Sequence, residues 1–164
     1  MPDSLPDAEA LVAKLAAAIT PVITRETALI GIHTGGAWIA ERLHSRLGII
    51  PPLGVLDISF YRDDFSSIGL HPQVKPSRIP FQVEDRPLIL VDDVLFTGRT
   101  IRAAMNELFD YGRPASIRLA VLVDRGGREL PICPDFSAAQ ISLPNDRNLQ
   151  LSCDTNNRLM LSLK

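Results

Sequence analysis

The chain has 164 residues, 46% of them hydrophobic, with a formal net charge of -2 at pH 7. That length and apolar content suit one compact domain with a core that needs no disulfide or structural metal, and the charge offers no overall basic footprint for nucleic acid. No apolar stretch approaches the about 18 residues that span a bilayer, the start with Asp3, Asp7 and Glu9 is unlike a secretory signal, and a cytoplasmic protein without a membrane partner is expected.

In chain order, Asp7 precedes Leu11, Val12, Leu15 and Ile19, a helical spacing that Thr20-Pro21 ends, which predicts an amphipathic first helix. Ala28 to Ile32 is a short apolar run reaching His33-Thr34-Gly35-Gly36, after which Trp38, Ile39 and Leu43 resume helical spacing. Strand, glycine turn and helix are predicted there, with Trp38 in the core. Pro51-Pro52 break the chain, and Val55 to Tyr61 alternates loosely with Leu56, Ile58 and Phe60 on its apolar side. Arg62 to Pro80 turns polar and collects Gly69, Pro72, Pro76 and Pro80; it is long for a connector and reads as a functional flap. Pro87 introduces Leu88-Ile-Leu-Val91, a continuous apolar strand of the kind buried on both faces, with Asp92 and Asp93 at its carboxyl end. After Thr97-Gly-Arg-Thr100 a helix is predicted through Ile101, Met105, Leu108 and Phe109, closed by Tyr111-Gly112 and Pro114. Ile117 to Val123 reads as a strand that again ends in an acid, Asp124. Beyond Pro131 the pattern is less regular, with strands expected near 149–153 and 158–163. The two cysteines, Cys133 and Cys153, have no CxxC spacing and read as small buried hydrophobes in a reducing cytosol.

Strands alternating with helices imply parallel βαβ units, an α/β class in which ligands gather outside the carboxyl ends of the strands. Loops 33–36, 92–100 and 124–128 converge there. In the segment Leu88 to Thr100, a buried strand delivers two adjacent carboxylates to its tip. The turn at Gly98 then exposes backbone N–H groups at a helix start, an arrangement suited to phosphate, with Thr97 and Thr100 as hydroxyl donors. The paired acids can accept hydrogen bonds from the vicinal hydroxyls of a ribose whose 5-phosphate occupies that cradle. Neither GxxxxGK[ST] nor GxGxxG spacing is present, which disfavours a nucleoside triphosphate or a dinucleotide. A capped, solvated strand end is the bland alternative. A receiver-type signalling domain shares the βα alternation but leaves the Thr-Gly-Arg-Thr cradle without a purpose.

Val91-Asp-Asp-Val-Leu-Phe-Thr-Gly-Arg-Thr100 resembles the diphosphoribosyl-binding signature of the type I phosphoribosyltransferases. Leu56-Asp-Ile-Ser-Phe-Tyr-Arg-Asp-Asp64, Gly112-Arg-Pro-Ala-Ser-Ile117, Leu122-Val-Asp-Arg-Gly126 and Arg128-Glu-Leu-Pro131 resemble, more closely, the PyrR family of pyrimidine-operon attenuators with uracil phosphoribosyltransferase activity. The resemblance implies a type I phosphoribosyltransferase fold, a twisted, mostly parallel sheet flanked by helices, as one domain over 1–164 with a flexible hood at about 55–81. It implies a reaction of 5-phosphoribosyl 1-diphosphate (PRPP) with uracil to give UMP and diphosphate. Mg2+ is expected to bind mainly through the diphosphate substrate, with no metal site of the protein's own. By position, Asp92 and Asp93 would hold the ribose hydroxyls, and Thr97, Gly98, Arg99 and Thr100 the 5-phosphate. Ile32, His33, Thr34 and Gly35 would hold the pyrophosphate, and Asp124 and Arg125 would line the base pocket. Arg62, in the hood segment Tyr61 to Asp64, and Asp93 are the residues expected to act in catalysis, Arg62 by closing on the pyrophosphate. A homodimer or higher homo-oligomer is implied as well, and the regulatory role implies a pyr mRNA leader as partner.

The sequence departs from the family in places. Gly127 stands where histidine is common, Cys133 where arginine often follows Pro-Ile, and Ser137 to Pro144 replaces a stretch with Gly-Lys and Pro-Thr-Ser. Positive charge and hydroxyls are lost from a region that bears on RNA and on the base. Phe96 stands where type I enzymes for 6-oxopurines tend to carry a carboxylate able to exchange a proton with the base, which favours a pyrimidine, unless the ring simply packs on the loop. His33 either caps its loop, contacts a phosphate oxygen or titrates in catalysis, and His44 and His71 have no sequence partners for metal ligation. Two alternatives stay open: an RNA-binding attenuator of pyrimidine genes with weak catalysis, and a transferase for orotate, hypoxanthine or guanine. For RNA, Arg42, Arg46, Arg113, Arg118, Arg125 and Arg128 are the candidate patch, against a reading as solvated surface charge.

Overall fold

A computed structural model describes residues 4–58 and 77–164. Five strands form one parallel sheet in the order β2-β1-β3-β4-β5: β1 (Ala28–Ile32), β2 (Gly54–Leu56), β3 (Pro87–Leu95), β4 (Ser116–Asp124) and β5 (Phe136–Gln140). Helices α1 (Ala8–Ile19) and α2 (Gly35–Leu47) cover one face and α3 (Arg99–Asp110) the other. An antiparallel hairpin, β6 (Leu149–Cys153) and β7 (Leu159–Leu163), packs on α1.

Strand alternation divides the core. Ile89, Val91, Ala120 and Leu122 pack with α1 and α2, whereas Leu88, Leu90, Leu119 and Val121 pack with α3. Both faces of β3 are therefore apolar up to Val91, as a central parallel strand requires. α1 begins where Asp7 accepts the Ala10 amide at 3.2 Å and ends in a 3-10 turn, Thr20–Val22, that contains Pro21. The hairpin is fastened to α1 by the Leu159 amide on Glu9 at 2.9 Å and by Arg158 on Asp7 at 3.1 Å. Trp38 packs half-buried against the same core.

The strand through Leu88–Val91 runs on through both acids to Leu95, because β4 continues alongside and pairs Asp92 with Val121 and Leu95 with Asp124. β5 has no counterpart among the expected strands. Its sequence, Phe-Ser-Ala-Ala-Gln, lacks β-branched residues; it is a strand because the outer edge of β4 pairs with it from Ala120 to Asp124. β2 is short, and Val55 bridges antiparallel to Arg78, with N–H···O bonds of 2.8 Å in each direction. The expected hood falls largely on 59–76, outside the described residues, and with it Tyr61, Arg62, Asp63, Asp64 and His71. Neither cysteine is buried as expected: Cys133 is exposed on the turn between Pro131 and Pro134, and Cys153 is half-buried at the end of β6. Among the described residues no helix is long and apolar enough to cross a membrane.

Candidate functional site

The carboxyl ends of β1, β3 and β4 bring three loops to one edge of the sheet. The His33 amide donates to the Leu56 carbonyl at 2.9 Å, which holds the first loop against β2, and the His33–Thr34 peptide is cis. Ile32 is fully buried, so it offers the loop only its main chain. Thr34 is the N-cap of α2, yet its exposed hydroxyl makes no capping bond. Gly35 and Gly36 let the first turn of α2 press on the tip of β3: a Cβ on Gly35 would collide with the Asp93 carboxylate, and one on Gly36 with the Val91 carbonyl oxygen. The expected pyrophosphate loop and the acid pair are thus in direct contact.

The acids themselves differ. Asp92 is 6% exposed, and its Oδ1 accepts the Asp93 amide at 2.9 Å. Asp93 is half-buried, its Oδ1 accepts the Val94 amide at 2.8 Å, and its Oδ2 lies toward Gly35. The face alternation slips between them, since Val91 and Val94 both pack toward α1 and α2 while Leu90 and Leu95 both pack toward α3. A strand of unbroken pleat would place those pairs on opposite sides.

The turn expected to cradle phosphate comes next in the chain. Gly98 sits at φ 93, a left-handed conformation that costs a side chain, and is the N-cap of α3. Thr97 Oγ1 accepts the Arg99 amide at 3.2 Å, and the remaining first-turn amides of α3, at Thr100 and Ile101, face the loop with the positive end of the helix behind them. The Arg99 side chain pairs with Glu129 at 2.8 Å, both about half exposed, so its guanidinium turns away from the first-turn amides.

Sequence reasoning missed how the third loop is built. Arg128 donates through Nη2 to both oxygens of Asp124, at 2.8 and 2.7 Å, through Nη1 to the Phe96 carbonyl at 2.8 Å, and through Nε to the Ile132 carbonyl at 2.9 Å. The amides of Glu129 and Leu130 both donate to the Thr97 carbonyl, at 3.0 and 3.1 Å. The 124–132 loop is thereby latched to the turn at 96–98. Arg125 is 6% exposed; its guanidinium lies 3.9 Å from the Phe96 ring centroid and donates to the carbonyls of Arg147 and Pro144. Phe96 is therefore a packing residue, and a Cβ on Gly127 would stand 2.5 Å from its ring, which suits glycine at 127. The acid-to-arginine spacing of Asp124 and Arg128 was the one sequence signal for this latch; its carbonyl partners carry none.

The candidate arginine patch is dispersed by the same contacts. Arg125 and Arg128 serve the loops, and Arg42 bonds Trp38, Asn157 and Glu9, which leaves Arg46, Arg113 and Arg118 exposed. His44 bonds the Pro51 carbonyl at 2.7 Å.

Comparison with known proteins matches this arrangement to one family. The phosphoribosyl transferase domain matches residues 3–148. Bifunctional protein PyrR of Nitrosococcus oceani is 60% identical over 127 residues, 76% of this chain and 72% of the relative, and that of Pseudomonas fluorescens is 52% identical over 153 residues, 91% of each. The chain belongs to the PyrR family of phosphoribosyl transferases. Among solved structures, this PyrR-family chain is similar to a purine phosphoribosyltransferase from Pyrococcus horikoshii, with a TM-score of 0.62 and 27% identity over 81% of both chains. A hypoxanthine-guanine phosphoribosyltransferase from Bacillus anthracis, at TM-score 0.66 and 17% identity over 85% of this chain and 82% of that one, shares the fold. The family's type I phosphoribosyltransferase fold, a parallel sheet flanked by helices, is the architecture described above.

Proposed function

We propose that the chain is a uracil phosphoribosyltransferase that forms UMP and diphosphate from PRPP and uracil, as one domain with its hood at about 55–81. The observation that supports this reading most is the close approach of Gly35 to the Asp93 carboxylate, which brings the 33–36 loop onto the acid pair. The first-turn amides of α3 and the hydroxyls of Thr97 and Thr100 hold the 5-phosphate. Asp93, the more open acid, accepts from a ribose hydroxyl, while Asp92 orders the peptide beneath it. The main chain at His33 to Gly35 and the Thr34 hydroxyl face the diphosphate, and Arg62 adds a cation by sequence position. Displacement at C1 puts positive charge on the sugar and negative charge on the departing diphosphate, so placing donors and carboxylates on opposite sides of that bond supplies the catalysis.

Among the described residues no three histidines, cysteines, aspartates or glutamates cluster as a metal site. A magnesium ion arriving with PRPP would be held mainly by the diphosphate and ribose oxygens and would neutralise the diphosphate, with Asp93, whose Oδ2 lies toward Gly35, as the carboxylate that would face it. Uracil is supported by the chain's place in the PyrR family; Phe96, packed on Arg125, carries no argument about the base. Calorimetric titration with PRPP and magnesium, followed by a reaction in which uracil, orotate, hypoxanthine and guanine compete, tests the assignment. UMP is the expected product; another nucleotide in its place overturns the choice of base.

The relatives' description as bifunctional supports a second role, binding of a pyr mRNA leader by a homodimer or higher homo-oligomer. Arg46, Arg113 and Arg118 are its exposed cations. Affinity for leader RNA that falls steeply with salt, measured with sedimentation of the protein alone, is the expected result, and binding absent at low salt removes the role.

A further inference from the structure

We infer that Glu107 on α3 is a positioning residue for the transfer reaction, acting through Ser77 on the two chain ends between which residues 59–76 run. The inference rests on the phosphoribosyl-transfer reading above. The Asp57 amide donates to Ser77 Oγ at 2.9 Å, and the same hydroxyl donates to Glu107 Oε1 at 2.6 Å. That second distance is in the range of a hydroxyl on an ionised carboxylate, and a hydroxyl that accepts and donates at once polarises both bonds. Next to it, the mutual bonds of Val55 and Arg78 close the same two ends. The helix that carries Glu107 is the one whose first turn forms the phosphate cradle, so the polar chain Asp57–Ser77–Glu107 ties the departing and returning strands to the anion-binding helix.

Stability does not account for a carboxylate here. Glu107 Oε2 is buried and has no hydrogen-bond partner among the described residues, a cost that an alanine would remove. Glutamate at this position acts instead by holding the Ser77 hydroxyl, and with it the Asp57 amide, at a set distance from the cradle. Arg62 lies in the stretch between those ends, five residues beyond Asp57 in the sequence.

The test compares Glu107→Ala, Glu107→Gln, Ser77→Ala and the Ser77→Ala/Glu107→Ala double variant with the unaltered protein. Turnover of PRPP and uracil is read alongside hydrogen exchange at the Asp57 amide by NMR and calorimetric binding of ribose 5-phosphate. Loss of one charge-assisted bond predicts that kcat falls about tenfold in either alanine variant, with exchange at Asp57 faster by a similar factor. Ribose 5-phosphate affinity stays unchanged, Glu107→Gln keeps an acceptor for Ser77 and recovers most of the turnover, and the double variant is no worse than the singles. Losses that multiply in the double variant, or kcat equal to that of the unaltered protein, overturn the inference. If the unaltered protein makes no UMP, the functional reading falls, and Asp57 exchange unchanged in all variants overturns the clamp independently.

Discussion

Asp93 and Gly35 meet because the glycine lacks a side chain and the aspartate, near the carboxyl end of β3, turns its carboxylate toward the neighbouring loop. Replacing Asp93 by Asn keeps the shape and the acceptor of the Val94 amide but removes the charge that the proposed function turns to the ribose. The expected outcome is a kcat lower by about 10- to 100-fold with an unchanged urea midpoint, since a charge-assisted hydrogen bond is lost and no packing changes. Gly35→Ala perturbs the same carboxylate by steric means, because the new methyl group must displace it. A shift of that size in a positioned group predicts a drop of about 100-fold in kcat/KM, measured at saturating uracil, while Asp93 itself is still present. At this scale the sequence was informative where function is local: the acid pair, the Thr-Gly-Arg-Thr turn and His33 to Gly36 are each consecutive residues, and the structure seats all three at one edge. Arg99 shows the limit, since nothing in the motif says that its guanidinium turns to Glu129 or that its amide bonds Thr97 Oγ1.

Among elements, β3 with α3 forms the proposed anion-binding unit and the 124–132 loop braces it. Arg128 is the brace, its guanidinium shared among Asp124, Phe96 and Ile132. Arg128→Ala leaves the largely buried Asp124 carboxylate without its cation and two carbonyls without donors. A loss of about 3 kcal/mol is expected in urea unfolding, the usual cost of breaking a buried pair from one side. The elements legible beforehand were those whose own residues carry an apolar run or a period: α1, α2, α3, β1, β4, the β6–β7 hairpin and the apolar half of β3. The second half of β3 was hidden because two aspartates do not resemble a buried strand; β4 alongside supplies the hydrogen bonds that make it one.

At the scale of the whole molecule, the chain after residue 148 closes the core. Leu159 is fully buried with Leu149 and Leu151 against α1, so Leu159→Ala is expected to cost about 2–5 kcal/mol, checked by denaturant unfolding. Ligand linkage offers a measurement independent of turnover. PRPP with magnesium at a hundred times its Kd raises stability by about 2.7 kcal/mol if the native state alone binds it, and a thermal shift assay reads this directly. No shift at that concentration counts against the cradle as its site.

Local patterning was enough to read an α/β chain, its order of elements, and a phosphate-and-ribose motif at a strand tip, because hydrophobic period, glycine turns and adjacent acids are properties of neighbouring residues. Tertiary structure alone decided that Phe-Ser-Ala-Ala-Gln is an edge strand, that Phe96 stacks on Arg125 rather than facing open space, and that Arg128 and Ser77 fasten loops far from them in sequence. Those outcomes depend on which edge stays unpaired and which carbonyls lack donors once the sheet has assembled. Pairing of that kind exists only in the folded chain, where a polar group taken from water must find its partner wherever the fold has brought one.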